Sequence, residues 1–406
     1  MHIDKSVSIR IYNNIPYRPP AGEKKGTLIM PCQALHLLIK PASGACDLAC
    51  RYCFYSSLGS AGAQAGEMMT EECADIVISR AYETGAADIT FAFQGGEPTL
   101  AGLPFFRHFV GEAEARCPEG ASLHWALQTN GVHIDGQWAA FLAEHRFLTG
   151  LSLDGTRDIH DYLRPDRRGE GTYARVMEAA RLLSAAGAEF NLLCVVSAQV
   201  ARHGVAVYNA LRKTGCRFLQ FIPCVEPFEG LPGAGPHFLT PEDYAQFLRA
   251  VFPLWYRDLC AGDYCSVRYF DNLVNMLAGF PPELCGMHGY CPGQFIVEAD
   301  GKVYPCDFYV VPEWLCGDLH TDTIDEIAAS PARQKFVADS QSVDPACRAC
   351  PVAPLCRGGC RRDRQSSPTG ALERNRYCAA YKDFLLFAAP YLEDVRKRVM
   401  SDPPRA

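Results

Sequence analysis

This 406-residue sequence predicts an α/β fold: an open, partial (β/α)6 barrel followed by a cysteine-rich second domain. Two observations carry that reading. From residue 34 to about 224, short apolar runs alternate with amphipathic helical stretches, which calls for parallel strands joined by helical crossovers. Between 285 and 378 the composition shifts, and nine of the chain's twenty cysteines crowd into a stretch with few long helices.

The strand-like runs are "ALHLLIK" (34–40), "DITFAF" (88–93), "LHWALQ" (123–128), "LTGLSLD" (148–154), "FNLLCVV" (190–196) and "FLQFIP" (218–223). Each is apolar and short, as strands covered on both faces are. Helical patterns lie between them. In "TEECADIVISRAYETG", Thr70 can cap the N-terminus and Gly85 can stop the helix, and "TYARVMEAARLLSAAG" (172–187) ends on Gly187 in the same way. Six units fall short of the eight that close a barrel, so the sheet is expected to stay open. The partial barrel is assigned to residues 31–240, after an N-terminal extension over 1–30. A helical connector follows over 241–280, with Thr240 as N-cap and Pro241 at the first helical position. The cysteine-rich domain spans 281–378, and within it "FIVEADGKVYPCD" reads as a β-hairpin turning at Asp300-Gly301. A helical tail over 379–406 is expected to be interrupted at Pro390.

The bulk numbers narrow the function. Thirty-nine basic against 46 acidic residues leave a formal charge of −7, so no basic footprint marks nucleic-acid binding. No apolar run reaches the roughly 18 residues of a membrane span, and the N-terminal stretch lacks the apolar core of a secretory signal. The expected setting is the cytoplasm, without membrane attachment, and the chain is expected to act as a monomer. In that reducing compartment, twenty cysteines point to metal binding rather than to disulfides.

The first cluster is "SGACDLACRYCFY", where Cys46, Cys50 and Cys53 follow the first strand. Ligands gather at the C-terminal ends of strands in such sheets. Three thiolates can hold three irons of a cubane and leave the fourth iron open to a small chelating ligand, whereas a structural zinc wants four closed ligands. The C-x3-C-x2-C spacing, with Tyr52 just before the last cysteine, resembles the radical S-adenosylmethionine superfamily. That resemblance implies S-adenosylmethionine as cofactor, with Tyr52 beside it. It also makes "QGGEP" (94–98) the glycine-rich segment, in which Gly95 and Gly96 allow backbone approach to the methionine amino group and Glu97 steadies the turn. Ser152, at the end of the fourth strand, is then placed to bond the cofactor, and Arg164 is a candidate for its carboxylate. The plain alternative for Arg164 is a solvated surface arginine.

In the second domain Cys285, Cys291, Cys306, Cys347, Cys350, Cys356, Cys360 and Cys378 make eight thiols, enough for two four-cysteine sites. Spacing alone leaves zinc ribbons and iron–sulfur clusters both open. The pattern resembles the SPASM extension of peptide-modifying radical enzymes, which implies two auxiliary [4Fe–4S] clusters and three in all. Carried over, Cys285, Cys291, Cys306 and Cys360 would hold the nearer cluster, and Cys347, Cys350, Cys356 and Cys378 the farther. The other nine cysteines are expected to be small packed hydrophobes.

Within that superfamily "LLIKPASGACDLACRYCFY", "FQGGEP", "RYFDNLVNMLAG", "CGMHGYC", "VEADGKVYPCDFYV" and "CRGGCRRDR" together resemble the anaerobic sulfatase-maturating enzymes, over about residues 34–395. The resemblance implies oxidation of a cysteine or serine in a sulfatase Cys/Ser-x-Pro/Ala-x-Arg segment to formylglycine. It also implies an electron donor such as flavodoxin or ferredoxin. Asp307 matches the family's proposed base, and Tyr55 and Gln94 its pocket residues. The bland reading of Asp307 is a hairpin-end cap, and of Tyr55 simple packing. Two competing functions stay open here: a SPASM maturase that crosslinks or epimerises a ribosomal peptide, and a zinc-ribbon scaffold.

Overall fold

The computed structural model describes residues 34–55, 67–226, 228, 235–365 and 367–401. The expected extension over 1–30, and Cys32 with it, lie outside the described residues. Six strands stand where the apolar runs predict them: β1 (Ala34–Ile39), β2 (Asp88–Phe93), β3 (Ser122–Thr129), β4 (Leu148–Ser152), β5 (Phe190–Val196) and β6 (Phe218–Pro223). They pair in chain order and all in parallel.

The crossovers are α1 (Glu71–Glu83), α2 (Gly102–Ala115), α3 (Gly136–Glu144), α4 (Arg157–Leu163), α5 (Tyr173–Ala186), α6 (Ala198–Arg202) and α7 (Gly204–Lys213). Thr70 caps α1 by accepting from the Cys73 N–H, a bond of the kind worth about 1 kcal/mol. Gly187 ends α5 with φ of 72°, where a side chain would be strained. The aromatic core of Phe91, Phe93, Phe106, Phe109 and Trp125 sits between β2, β3 and α2, almost wholly enclosed.

The expected helical connector is only partly helical. Between α8 (Pro241–Cys260) and α9 (Arg268–Leu277) the chain adds β7 (Ser266–Val267), a seventh parallel strand on β6. A second difference matters more for function. The predicted hairpin, β8 (Phe295–Val297) and β9 (Lys302–Tyr304), does turn through Asp300-Gly301, but it joins the barrel sheet, because β8 pairs in parallel with β1. With β10 (Gly317–Asp318) the sheet reads β10-β9-β8-β1-β2-β3-β4-β5-β6-β7 and remains open. Leu38 of β1 packs with Ile296, Tyr304 and Val310, so one apolar surface continues from the barrel into the cysteine-rich part.

Beyond the hairpin come α10 (Ile324–Ala328), α11 (Pro331–Ser340), α12 (Ala353–Cys356) and α13 (Cys378–Ser401). The last corrects an expectation: Pro390 lies inside one continuous helix. A proline there forfeits about 3 kcal/mol. Buried Phe384, Leu385, Ala388, Leu392 and Val395 hold the helix together across it. Among the cysteines read as packed hydrophobes, Cys73, Cys194, Cys216, Cys224, Cys265 and Cys316 are buried, but Cys117 is half-buried and Cys260 exposed. Among the described residues no helix is long and apolar enough to cross a membrane.

Candidate active site

The cysteine loop leaves β1 at its C-terminal end and is held from three sides. Ser43 sits at φ of 44°, and its hydroxyl accepts from the Ala299 N–H of the hairpin at 3.2 Å. The Ala49 N–H donates to the Pro165 carbonyl, and Arg51 N–H to that of Leu163, each at 2.9 Å. From the β2 side, Gly96 N–H donates to Ser43 O at 2.8 Å and Glu97 N–H to Ala45 O at 2.7 Å. Gly95 adopts φ of +124°, and a Cβ on Gly96 would lie 2.1 Å from the Ala45 carbonyl oxygen. The two glycines thus bring β2 onto the backbone of the cysteine loop, a contact that sequence reading had not foreseen. Glu97 completes the bracket. Its enclosed carboxylate accepts from Thr99 N–H and Oγ1, Thr129 Oγ1 and Asn130 N–H, so it serves the turn from within.

Asn130 extends that bracket to the loop, donating to Asp47 at 2.8 Å. Burial pushes the free Cys46 thiol up to about 12 and that of Cys50 to about 11. A cation bound among them would have to displace their protons. Behind Cys50, Arg164 donates to the Tyr52 hydroxyl at 2.7 Å, and Tyr52 donates to Asp154 at 2.5 Å. Arg164 is only 7% exposed, which removes the surface-arginine reading. Its Nε makes no hydrogen bond. Ser152 ends β4 as expected and accepts from Gln128 at 3.1 Å.

A second group of side chains meets where the hairpin reaches β1. The Asp307 carboxylate, 7% exposed, takes hydrogen bonds on Oδ2 from the Tyr55 hydroxyl and, at 2.9 Å, from Gln94 Nε2. Three predicted residues, far apart in sequence, therefore converge. Two unpredicted ones join them. Lys40 at the end of β1 is 2% exposed, with Nζ 2.5 Å from Glu298 Oε1 and 3.4 Å from Asp307 Oδ1. Burial pulls the Lys40 ammonium toward neutrality, but Asp307 and then Glu298 outweigh it, and its pKa ends above the ordinary value. The Tyr55 phenol is pushed well up, first by burial and then by Asp307, and stays protonated as a donor. A lysine closing a mostly apolar strand was the available signal for Lys40; nothing local marked Glu298.

The eight thiols of the cysteine-rich part fall into two neighbourhoods. Burial holds the Cys306 thiol well above its ordinary value, with Cys291, Cys360 and Cys285 around it, and does the same for Cys360, with Asp363, then Cys285 and Cys291, around it. Cys356 likewise senses Cys378, Cys347 and Cys350. Among the described residues, no three His, Cys, Asp or Glu converge closely enough to hold a single metal ion.

Residues 41–198 match the model of the radical SAM superfamily, and residues 290–351 that of the SPASM iron–sulfur cluster-binding domain. A cysteine-type anaerobic sulfatase-maturating enzyme of Clostridium perfringens is 41% identical over 366 residues, covering 90% of this chain and 99% of its own. A serine-type enzyme of Klebsiella aerogenes is 31% identical over 364 residues, covering 89% of this chain and 87% of its own. The solved structure of native anSMEcpe with bound AdoMet and Cp18Cys peptide superposes with a TM-score of 0.87 at 41% identity, over 90% of this chain and 99% of that one. Streptococcus suis SuiB, solved with its precursor peptide SuiA, shares the fold at a TM-score of 0.57 and 16% identity, over 85% of this chain and 75% of that one. The chain belongs to the anaerobic sulfatase-maturating enzymes, radical SAM enzymes that carry a SPASM domain and use iron–sulfur clusters and S-adenosylmethionine.

Proposed function

We propose that the protein oxidises a cysteine side chain in a sulfatase Cys-x-Pro/Ala-x-Arg segment to Cα-formylglycine without oxygen. Cys46, Cys50 and Cys53 would hold the cluster that takes S-adenosylmethionine; Cys285, Cys291, Cys306 and Cys360 a nearer auxiliary [4Fe–4S] cluster, and Cys347, Cys350, Cys356 and Cys378 a farther one. When bound, these groups supply the 5′-deoxyadenosyl radical that removes a hydrogen atom from the target β-carbon, and a sink for one further electron. The chain's own residues do the rest. Ser152, with the backbone of Gly95 and Gly96, lines the cofactor side, and the buried Tyr52–Arg164 pair backs the loop. Asp307 accepts the target's thiol proton, while Tyr55 and Gln94 hold its other oxygen. Loss of a hydrogen atom, a proton and an electron turns CH2–SH into a thioaldehyde, which water converts to the aldehyde with release of hydrogen sulfide. The cysteine target is preferred to serine because cysteine-type relatives reach 41% identity and serine-type ones 31%.

The observation that carries this reading is the buried carboxylate of Asp307, directly after Cys306 and bonded to Tyr55 and Gln94. We further infer a cytoplasmic monomer that meets its sulfatase as an unfolded segment and draws electrons from a flavodoxin- or ferredoxin-class donor. The test is anaerobic turnover of a Cys-x-Pro-x-Arg peptide by the dithionite-reduced enzyme. A product that has lost its sulfur supports formylglycine formation. A product that retains sulfur and lacks two hydrogens indicates a thioether-forming maturase instead.

A further inference from the structure

Among the described residues, Lys40 is the one lysine in the set of fully enclosed large side chains, and it sits where two parts of the fold meet. Its backbone N–H donates to Val297 O at 2.8 Å, in the seam between β1 and the hairpin. Its ammonium lies between two carboxylates that are 4% and 7% exposed, those of Glu298 and Asp307. The two are not held alike. Glu298 Oε1 is 2.5 Å from Nζ, while Asp307 Oδ1 is 3.4 Å away. Nζ also stands 4.7 Å from the centroid of the Tyr55 ring. Asp307 is thereby pinned on one oxygen by Tyr55 and Gln94 and faced on the other by an ammonium that stands closer to Glu298.

We propose that Glu298 and Lys40 are positioning residues: Glu298 draws the ammonium to itself, so that Lys40 orients Asp307 while leaving Oδ1 open to the substrate's proton. Without Glu298, Lys40 is free to close on Oδ1 and occupy the position the proton needs. Without the pair, Oδ1 loses the Lys40 ammonium that faces it and the carboxylate can turn. The inference rests on the reading of Asp307 as proton acceptor. A misplacement of about 1 Å can cost a reaction about a hundredfold, so a small shift here is large enough to measure.

The test compares Glu298→Gln, which keeps volume, with the double variant Lys40→Met/Glu298→Met. The double variant removes the buried pair together and so strands neither partner of it. Iron content and thermal midpoint are read first, then 5′-deoxyadenosine and aldehyde from one Cys-x-Pro-x-Arg peptide. In both variants 5′-deoxyadenosine should stay within about twofold of the parent, while aldehyde per 5′-deoxyadenosine falls by about tenfold to a hundredfold. Lys40→Arg, which keeps the charge, should recover part of the ratio. If the double variant does not fold, Glu298→Gln carries the test. An unchanged ratio, with both products falling in step with the folded fraction, makes the pair a structural strut and overturns the proposal. Two controls separate this from failure of the underlying reading: a parent enzyme that makes no aldehyde refutes the proposed reaction. An Asp307→Asn variant that makes aldehyde at the parent rate refutes the base assignment, and the positioning role with it.

Discussion

Substituting Gly96 by alanine should dismantle the cysteine loop. The added Cβ would lie 2.1 Å from the Ala45 carbonyl oxygen and 2.6 Å from the carbonyl carbons of Gly44 and Ala45, all backbone atoms with nowhere to rotate. The strand end and the loop must therefore separate by about 1 Å, taking with them the Gly96 N–H to Ser43 O and Glu97 N–H to Ala45 O bonds. Overpacking of this kind costs about 1–3 kcal/mol, and each hydrogen bond is worth about 1 kcal/mol. The expected loss is about 3–5 kcal/mol, a large share of an ordinary protein's stability. Gly44→Ala is the control, because nothing lies within 4 Å of its Cβ and it should be neutral to about 0.5 kcal/mol. The assay is urea denaturation under nitrogen, with iron content and 5′-deoxyadenosine production on the same preparations. Iron should fall by about four per chain, one cubane's worth, and cofactor cleavage should disappear. A Gly96→Ala protein that unfolds at the parent midpoint and cleaves the cofactor normally would refute the close-approach argument.

Three further outcomes are expected. Replacing Cys46, Cys50 and Cys53 together by alanine should abolish 5′-deoxyadenosine formation and remove about four irons; undiminished cleavage would sink the ligand assignment. Asp307→Asn should keep the iron and at least part of the cofactor cleavage, while aldehyde formation drops by about 10²–10⁴, as loss of a general base does; iron loss instead would make Asp307 a support of the nearer cluster. His160 supplies a pH test. Its Nδ1 accepts from the Asp154 N–H, its Nε2 meets Thr172 Oγ1, and Arg164 is its charged neighbour, so burial and then Arg164 hold its pKa down to about 2. The folded value lies below the unfolded value of about 6.5, so its contribution is complete above that pH and is lost as pH falls below it. Between pH 7.5 and 5.5 the parent should lose about 1.4 kcal/mol more than His160→Gln in urea unfolding; parallel losses would contradict it.

Much of this molecule could be read along the chain. Strand positions followed from apolar runs of the right length, the α1 start from Thr70, and the hairpin turn from Asp300-Gly301. These are local signals, set by side-chain period and by turn and capping chemistry within a few residues. The three-cysteine loop was equally visible, because its spacing is itself the motif. What escaped depends on segments distant in sequence. Nothing in "FIVEADGKVYPCD" says that its first strand will pair with β1, some 258 residues earlier, since any short apolar strand can satisfy the edge of an open sheet. That single pairing brings Glu298 and Asp307 to Lys40, turning a strand-end lysine into part of the site. For Arg164 the surface alternative stays open until the loop packs over it, and Pro390 reads as a break until packing against α8 and α9 outweighs the lost hydrogen bond. Local chemistry specifies which elements form; the burial of charge and the choice of strand partner are properties of the assembled core, where free energy is shared among residues that no window of sequence contains.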